Sequence, residues 1–231
     1  MPPSRKPPSG GKNSVGTDRS LNVNLRTARG RPLASQLWLK RQLNDPYVAA
    51  AQAQGWRSRA AFKLIELDER FQLLRKGMRV LDLGAAPGGW SQVAVDRGAA
   101  MVLGLDLLPI DPLPGVRFLQ GDFNAPDMPD LLRGELGGGA DLVLSDMAPN
   151  TTGHGATDHL RIVALAELAA AFAVEVLAPG GAFVTKVFQG GAERDLLDPL
   201  KRHFAQVRHA KPPASRKQSS ELYVVAQGFR G

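Results

Sequence analysis

Four aspartates follow apolar, strand-like runs in chain order, and their spacing could build a binding site. They are Asp82, Asp106, Asp122 and Asp146. Ligands of doubly wound sheets bind beyond the carboxyl ends of the strands, where these side chains would meet. At such an edge Asp106 can accept hydrogen bonds from both hydroxyls of a ribose, and Asp122 from an adenine amino group. One strand-end aspartate is more often a cap or turn residue, but four in order indicate a nucleoside site.

The first apolar run breaks into a glycine-rich turn, Gly-Ala-Ala-Pro-Gly-Gly-Trp over residues 84–90, ahead of a helical segment. Its glycines allow a ligand to approach main-chain N–H groups closely. The spacing departs from the G-x-G-x-x-G pattern, which argues against a nicotinamide or flavin cofactor. Because the carboxylate of Asp82 lies at this turn, two residues before Gly84, we expect a cationic ligand, such as S-adenosylmethionine with its amino and sulfonium groups.

Two lysines interrupt apolar surroundings. Lys186 lies within a run that should form a buried strand, and Lys63 lies in a helical segment before the glycine-rich turn. Lysine is rarely buried without a partner, although a helix residue such as Lys63 can also extend its amine to solvent. Glu221 opens the last strand-like run and could pair with one of these lysines.

Alternating strands and helices position these residues. The sequence predicts strands over 80–83, 101–105, 116–119, 141–144, 182–187, 207–209 and 222–226. It predicts helices over 35–43, 45–54, 57–71, 90–96, 128–132, 158–177 and 193–204. This alternation is typical of an α/β fold with a mostly parallel sheet and helices on both faces. The last two strands have no helix between them, so we expect them to pair antiparallel at one edge.

The composition fits one α/β domain with appendages. The chain has 231 residues, of which 43% are hydrophobic, and it contains no cysteine and four histidines. Disulfides and thiolate metal sites are therefore excluded, and the histidines show no metal-binding spacing. Neither a membrane span nor a signal peptide is evident. We expect a cytoplasmic monomer that uses no metal.

The net charge of +7 comes from the N-terminal segment. Residues 1–41 carry nine lysines and arginines against one aspartate, so the rest of the chain is nearly neutral. We expect residues 1–34 to form a basic, disordered arm, because proline, glycine, serine and arginine bury little apolar surface. Such an arm can tether RNA, or it can serve only as a solubilising tail. Residues 35–231 would form the folded domain.

Five segments carry a resemblance to a known family. They are Ser-Arg-Ala-Ala-Phe-Lys, Leu-Asp-Leu-Gly-Ala-Ala-Pro-Gly-Gly-Trp-Ser-Gln, Ser-Asp-Met-Ala-Pro-Asn, Val-Thr-Lys-Val-Phe-Gln-Gly and Ser-Ser-Glu-Leu-Tyr. From about residue 35 onward the chain resembles the FtsJ/RrmJ-type 2′-O-ribose methyltransferases. The resemblance implies a Rossmann-like, seven-stranded methyltransferase fold with S-adenosylmethionine as cofactor. It further implies a uridine ribose in large-subunit (23S) ribosomal RNA as substrate, on the assembled 50S subunit.

The resemblance also assigns residues to roles. The family's catalytic tetrad falls on Lys63, Asp146, Lys186 and Glu221. Its cofactor contacts fall on Gly88, Trp90, Asp106, Asp122 and Asp146.

The chemistry of methyl transfer to a ribose hydroxyl supports one division of roles. The hydroxyl is a poor nucleophile, so a base should remove its proton as attack develops. Burial and a neighbouring cation both favour a neutral lysine, whereas the carboxylates of Asp146 and Glu221 oppose it. We predict that Lys186 is the base, that Asp146 orients it, and that Lys63 and Glu221 position the ribose and the base.

Three alternatives remain open from the sequence. A 2′-O-methyltransferase of transfer RNA or of an mRNA cap would share the tetrad, although a compact chain without added recognition domains favours ribosomal RNA. An RNA-binding ribosome assembly factor need not keep four functional residues. An NAD-dependent oxidoreductase is disfavoured by the missing G-x-G-x-x-G pattern.

Overall fold

A seven-stranded sheet forms the centre of the protein in a computed structural model, which describes residues 32–149, 155–189 and 193–231. The strand order is β3-β2-β1-β4-β5-β7-β6. The strands are β1 (Arg79–Leu83), β2 (Met101–Asp106), β3 (Val116–Gln120), β4 (Ala140–Ser145), β5 (Leu177–Phe188), β6 (Phe204–Ala210) and β7 (Glu221–Phe229). The first five pair in parallel, whereas β7 is antiparallel to both β5 and β6.

Helices cover both faces of this sheet. They are α1 (Leu33–Leu43), α2 (Pro46–Gln54), α3 (Ala60–Phe71), α4 (Gly89–Asp96), α5 (Met128–Leu136), α6 (Gly155–Val176) and α7 (Glu193–His203). Alternation along the strands creates two cores. Leu81 and Leu83 of β1 face the core that includes α5, α6 and α7, whereas Val80 faces the core that includes α3 and α4. The predicted α/β fold is therefore confirmed.

The connection between α6 and β5 differs from the prediction. The sequence predicts a helix over 158–177 and a strand beginning at residue 182, but α6 ends at Val176 and β5 begins at Leu177. Leu177 pairs with Ala140, and the register then shifts before Leu142 pairs with Ala182. The proline and glycines at positions 179–181, which indicate a turn in the sequence, thus lie in the irregular first part of β5.

The antiparallel direction of β7 places its first residues beside the carboxyl end of β5. Parallel strands β1, β2, β4 and β5 present their carboxyl ends at one edge of the sheet, whereas β7 presents its beginning there. Lys186 of β5 consequently lies opposite Tyr223, and Phe188 lies opposite Glu221. The predicted arm, 1–34, lies almost entirely outside the described residues.

Candidate active site

Lys63, Asp146, Lys186 and Glu221 converge at the carboxyl edge of the sheet. The Lys186 amine lies 3.1 Å from Oδ1 of Asp146 and donates to the Asp146 main-chain carbonyl at 2.6 Å. The Lys63 amine lies 2.8 Å from Oε2 of Glu221 and 3.8 Å from Oδ2 of Asp146. Asp146 therefore stands between the two lysines. Two ammonium groups face two carboxylates, so the cluster is formally neutral.

Elements distant in the sequence position these four side chains. Lys63 comes from α3, Asp146 follows β4, and Lys186 and Glu221 belong to β5 and β7. Both lysines are largely buried, with side-chain exposures of 10% for Lys63 and 8% for Lys186. Such burial is tolerable because each amine has carboxylate and hydrogen-bond partners.

Tyr223 lies at the centre of the cluster and was not among the predicted site residues. Its hydroxyl accepts a hydrogen bond from the Lys63 amine at 3.1 Å and donates one to Oδ1 of Asp146 at 2.8 Å. The alternation of β7 contains the signal for it. Because side chains two apart lie on one face of a strand, Glu221 at the site predicts that Tyr223 faces the same way.

Electrostatics fix the protonation of two members of the cluster. Burial raises the pKa of the Asp146 carboxyl, but the Lys186 and Lys63 ammonium groups outweigh it, and the pKa lies below its ordinary 3.8. Burial also raises the pKa of the Tyr223 hydroxyl well above 10.0, and the Asp146 and Glu221 carboxylates raise it further. At neutral pH, Asp146 is thus a carboxylate acceptor and Tyr223 a neutral donor.

A pocket of about 630 Å³ opens beside the cluster, with Asp146 in its wall. The glycine-rich turn contributes Gly84 and Ala86, β2 contributes its last residue, Asp106, and the segment after β2 contributes Leu107 and Leu108. Further lining comes from Leu105, Gly121, Asp122, Phe123, Asn124, Met147, Ala148, Pro149, Arg161, Ala164, Leu165 and Leu168. Three of the four predicted strand-end aspartates, at positions 106, 122 and 146, therefore border one space.

Asp106 and Asp122 are held by main-chain donors. Asp106 accepts from the amides of Ala86 and Leu108, each at 2.9 Å. Asp122 accepts from the Asn124 amide and side chain, each at 2.9 Å, and these bonds lower its pKa. A carboxylate has about four lone-pair sites, so each aspartate keeps capacity for a ligand.

Asp82 does not reach the pocket. Its side chain is fully buried on the α4 side of β1, where Oδ2 accepts from the Ser91 hydroxyl at 2.6 Å. Burial, together with the nearby Asp146 and Asp106 carboxylates, raises the pKa of this carboxyl to about 7. The expected cationic ligand would therefore meet Asp146, which lines the pocket, and not Asp82.

Gly88 and Trp90 lie at the start of α4, outside the pocket lining. Gly88 adopts a φ of +100°, which favours glycine. The Trp90 indole donates to the Ala60 carbonyl at 2.8 Å, and its ring packs against Tyr223. The Trp90 side chain is thus directed toward α3, and contact with a ligand in the pocket would have to come from its main chain.

The described parts of the chain contain neither a cluster of metal-ligating side chains nor a membrane-spanning helix. Within residues 32–149, 155–189 and 193–231, no group of three or more His, Asp or Glu side chains could hold a metal ion. None of the helices in these ranges is long and apolar enough to cross a membrane.

Comparison with known proteins places this geometry among methyltransferases. The model of the FtsJ-like methyltransferase family matches residues 56–229. The chain is 70% identical over 223 residues to ribosomal RNA large subunit methyltransferase E of Granulibacter bethesdensis. The aligned region covers 96% of this chain and 97% of that protein. It is 67% identical over 214 residues to the Gluconobacter oxydans protein of the same name, with 93% and 80% covered. A solved ribosomal RNA methyltransferase from Plasmodium falciparum has a TM-score of 0.68 and 33% identity, with 76% of this chain and 100% of that chain covered.

Proposed function

This chain belongs to the FtsJ-like methyltransferase family, and from that premise we propose that it 2′-O-methylates a uridine ribose in large-subunit ribosomal RNA. The methyl donor is S-adenosylmethionine, and the substrate is the assembled large subunit. The observation that carries this proposal is the convergence of Lys63, Asp146, Lys186 and Glu221 beside one pocket. The relatives named as large-subunit ribosomal RNA methyltransferases support the choice of RNA.

The pocket fits a nucleoside cofactor. Its volume of about 630 Å³ is typical of small-molecule sites. At Gly84 an added Cβ would lie 2.8 Å from the main chain of Met147, so the turn has no room for a side chain there. Asp106 and Asp122 have acceptor capacity for ribose and adenine, and the ionised Asp146 favours a nearby positive charge. Trp90 would contribute a main-chain contact, because the first N–H groups of a helix lack partners within it. The Gly88 N–H already donates to the Ala85 carbonyl at 2.6 Å, so Gly88 would contribute the backbone conformation of the turn.

Lys186 is the proposed base. S-adenosylmethionine, when bound, supplies an activated methyl group on a positively charged sulfur. A neutral lysine amine has two N–H bonds and one lone pair. The two acceptors that Asp146 offers, its carbonyl and Oδ1, can hold both N–H groups, which leaves the lone pair for the ribose hydroxyl.

The other residues keep this amine in place. Tyr223 remains protonated because of its raised pKa, so it holds Oδ1 of Asp146 and does not compete as a base. The Lys63 amine is held beside Glu221 and Asp146. From there it can orient the ribose oxygen. Positioning by these groups supplies much of the acceleration.

We also propose separate roles for two parts of the chain. Residues 1–34 form a basic arm that tethers RNA, and residues 35–231 form the methyltransferase domain. One chain acts as a monomer in the cytoplasm. The arm's seven lysines and arginines would release counterions from RNA on binding.

In vitro methylation tests the function. Large subunits from a strain without this protein would be incubated with it and methyl-labelled S-adenosylmethionine, and the label would be mapped by resistance of the 2′-O-methylated linkage to alkaline hydrolysis. We expect label at one uridine ribose and none with Lys186→Ala. Label only on transfer RNA or capped RNA, or RNA binding without any methylation, would contradict the proposal.

A further inference from the structure

Arg57 links the segment before α3 to the glycine-rich turn and to the segment between β2 and β3. Its Nη1 donates to the main-chain carbonyls of Asp111 at 2.6 Å and Pro87 at 3.3 Å, and its Nη2 donates to the carbonyl of Pro112 at 2.7 Å. Pro87 belongs to the glycine-rich turn, whereas Asp111 and Pro112 belong to the segment between β2 and β3. One guanidinium group therefore joins the turn to that segment.

The same side chain lies directly on Gly88. A Cβ added to Gly88 would be 3.0 Å from Nη1 and 3.1 Å from Cδ of Arg57. Besides the positive φ, this contact is a second reason for glycine at position 88. The guanidinium also lies 6.0 Å from the centre of the Phe118 ring.

The main chain of Arg57 is fixed independently. Its amide donates to the Gln92 side chain at 2.9 Å, and the Gln92 amide group donates to the Gly55 carbonyl at 2.9 Å. Gln92 belongs to α4, so the segment before α3 is anchored on the helix that follows the turn. The base of the Arg57 side chain thus stays in place when the guanidinium is removed.

Both segments that Arg57 joins contribute to the pocket wall. The turn contributes Gly84 and Ala86, and the segment after β2 contributes Leu107 and Leu108. We propose that Arg57 is a positioning residue that sets the spacing of these two parts of the wall for the cofactor. The inference rests on the proposed function, because it takes S-adenosylmethionine as the ligand of the pocket. The forked guanidinium is suited to this task, since a lysine amine cannot hold acceptors in a fixed planar arrangement.

Arg57→Met and Arg57→Lys test this role against a matched control, Arg117→Met. Arg117 is a 60% exposed arginine on β3 that pairs with Glu135 and does not line the pocket. The measurements are the Kd for S-adenosylmethionine by calorimetry, kcat and KM for the cofactor with saturating large subunits, and the melting temperature without ligand. We expect Arg57→Met to raise Kd and KM about tenfold, or about 1.4 kcal/mol, with kcat within about twofold. Arg57→Lys should raise both about threefold, and the control should change neither.

An arginine with a purely structural role would not raise KM while leaving kcat unchanged when it is replaced. Unchanged Kd and KM in folded Arg57→Met would overturn the inference, as would a lowered kcat with an unchanged KM. If Arg57→Met does not fold, Arg57→Lys tests the inference instead. Wild-type affinity for S-adenosylmethionine in that variant would refute the need for a forked guanidinium group. Failure of the wild-type protein to bind S-adenosylmethionine would instead refute the proposed function.

Discussion

Asp82→Asn should make the stability of the protein less dependent on pH. The Asp82 carboxyl is fully buried, and its pKa in the folded protein is about 7 against an ordinary 3.8. A raised folded-state pKa means that the protonated form stabilises the fold. This stabilisation is complete below pH 3.8 and is lost as the pH rises through 7. Since a pKa difference of one corresponds to about 1.4 kcal/mol, the full effect is on the order of 4 kcal/mol.

Between pH 5 and pH 8 the wild-type protein should therefore lose roughly 2–3 kcal/mol that Asp82→Asn does not lose. Asparagine keeps an oxygen for the Ser91 hydroxyl but carries no titrating proton. Any destabilisation by its new N–H groups is independent of pH. The informative quantity is therefore the difference in the free energy of unfolding between the two proteins, compared between pH 5 and pH 8. Urea unfolding at both pH values measures it.

The control for this prediction is Asp127→Asn. Asp127 precedes α5, is exposed, and makes no side-chain capping hydrogen bond. Its substitution should shift stability equally at pH 5 and pH 8. If Asp82→Asn likewise gave the same difference at both pH values, Asp82 would be charged in the folded protein at pH 5, and the reasoning from burial would be refuted.

Two further predictions concern the ligands. Asp106→Ala should weaken S-adenosylmethionine binding by about 1–3 kcal/mol, because ribose hydroxyls would lose their acceptor, and unchanged affinity by calorimetry would remove Asp106 from the cofactor site. Deleting residues 1–31, which carry seven lysines and arginines and one aspartate, should weaken binding to large subunits and flatten its salt dependence while cofactor affinity is kept. Identical binding with and without the arm at several salt concentrations would contradict the tether.

The fold was predictable because its strands are short apolar runs separated by helical segments. Each of the seven predicted strands overlaps an observed one, and the boundaries moved most where a register shift extends β5 back to Leu177. The position of β7 between β5 and β6 was harder to derive. Antiparallel pairing of the last two strands follows from their short connection, but which of them also pairs with β5 depends on tertiary packing.

The candidate site was only partly predictable. The resemblance identified Lys63, Asp146, Lys186 and Glu221, which the structure brings together, but not Tyr223 between them. Alternation along β1 indicates that Asp82 faces away from Leu81 and Leu83, toward α4, so its distance from the pocket could have been expected. The direction of the Trp90 indole could not have been expected from the sequence, because the indole donates to the Ala60 carbonyl of α3, which only the folded chain brings near.

Single-turnover methylation of large subunits by Lys186→Arg tests the central claim most directly. Arginine keeps the positive charge but cannot accept a proton at working pH. We expect this variant to bind S-adenosylmethionine with wild-type affinity and to lose methyl transfer by about 10²–10⁴-fold, the usual contribution of a general base. Near-wild-type transfer by Lys186→Arg would contradict the account and leave Lys186 a positioning role only.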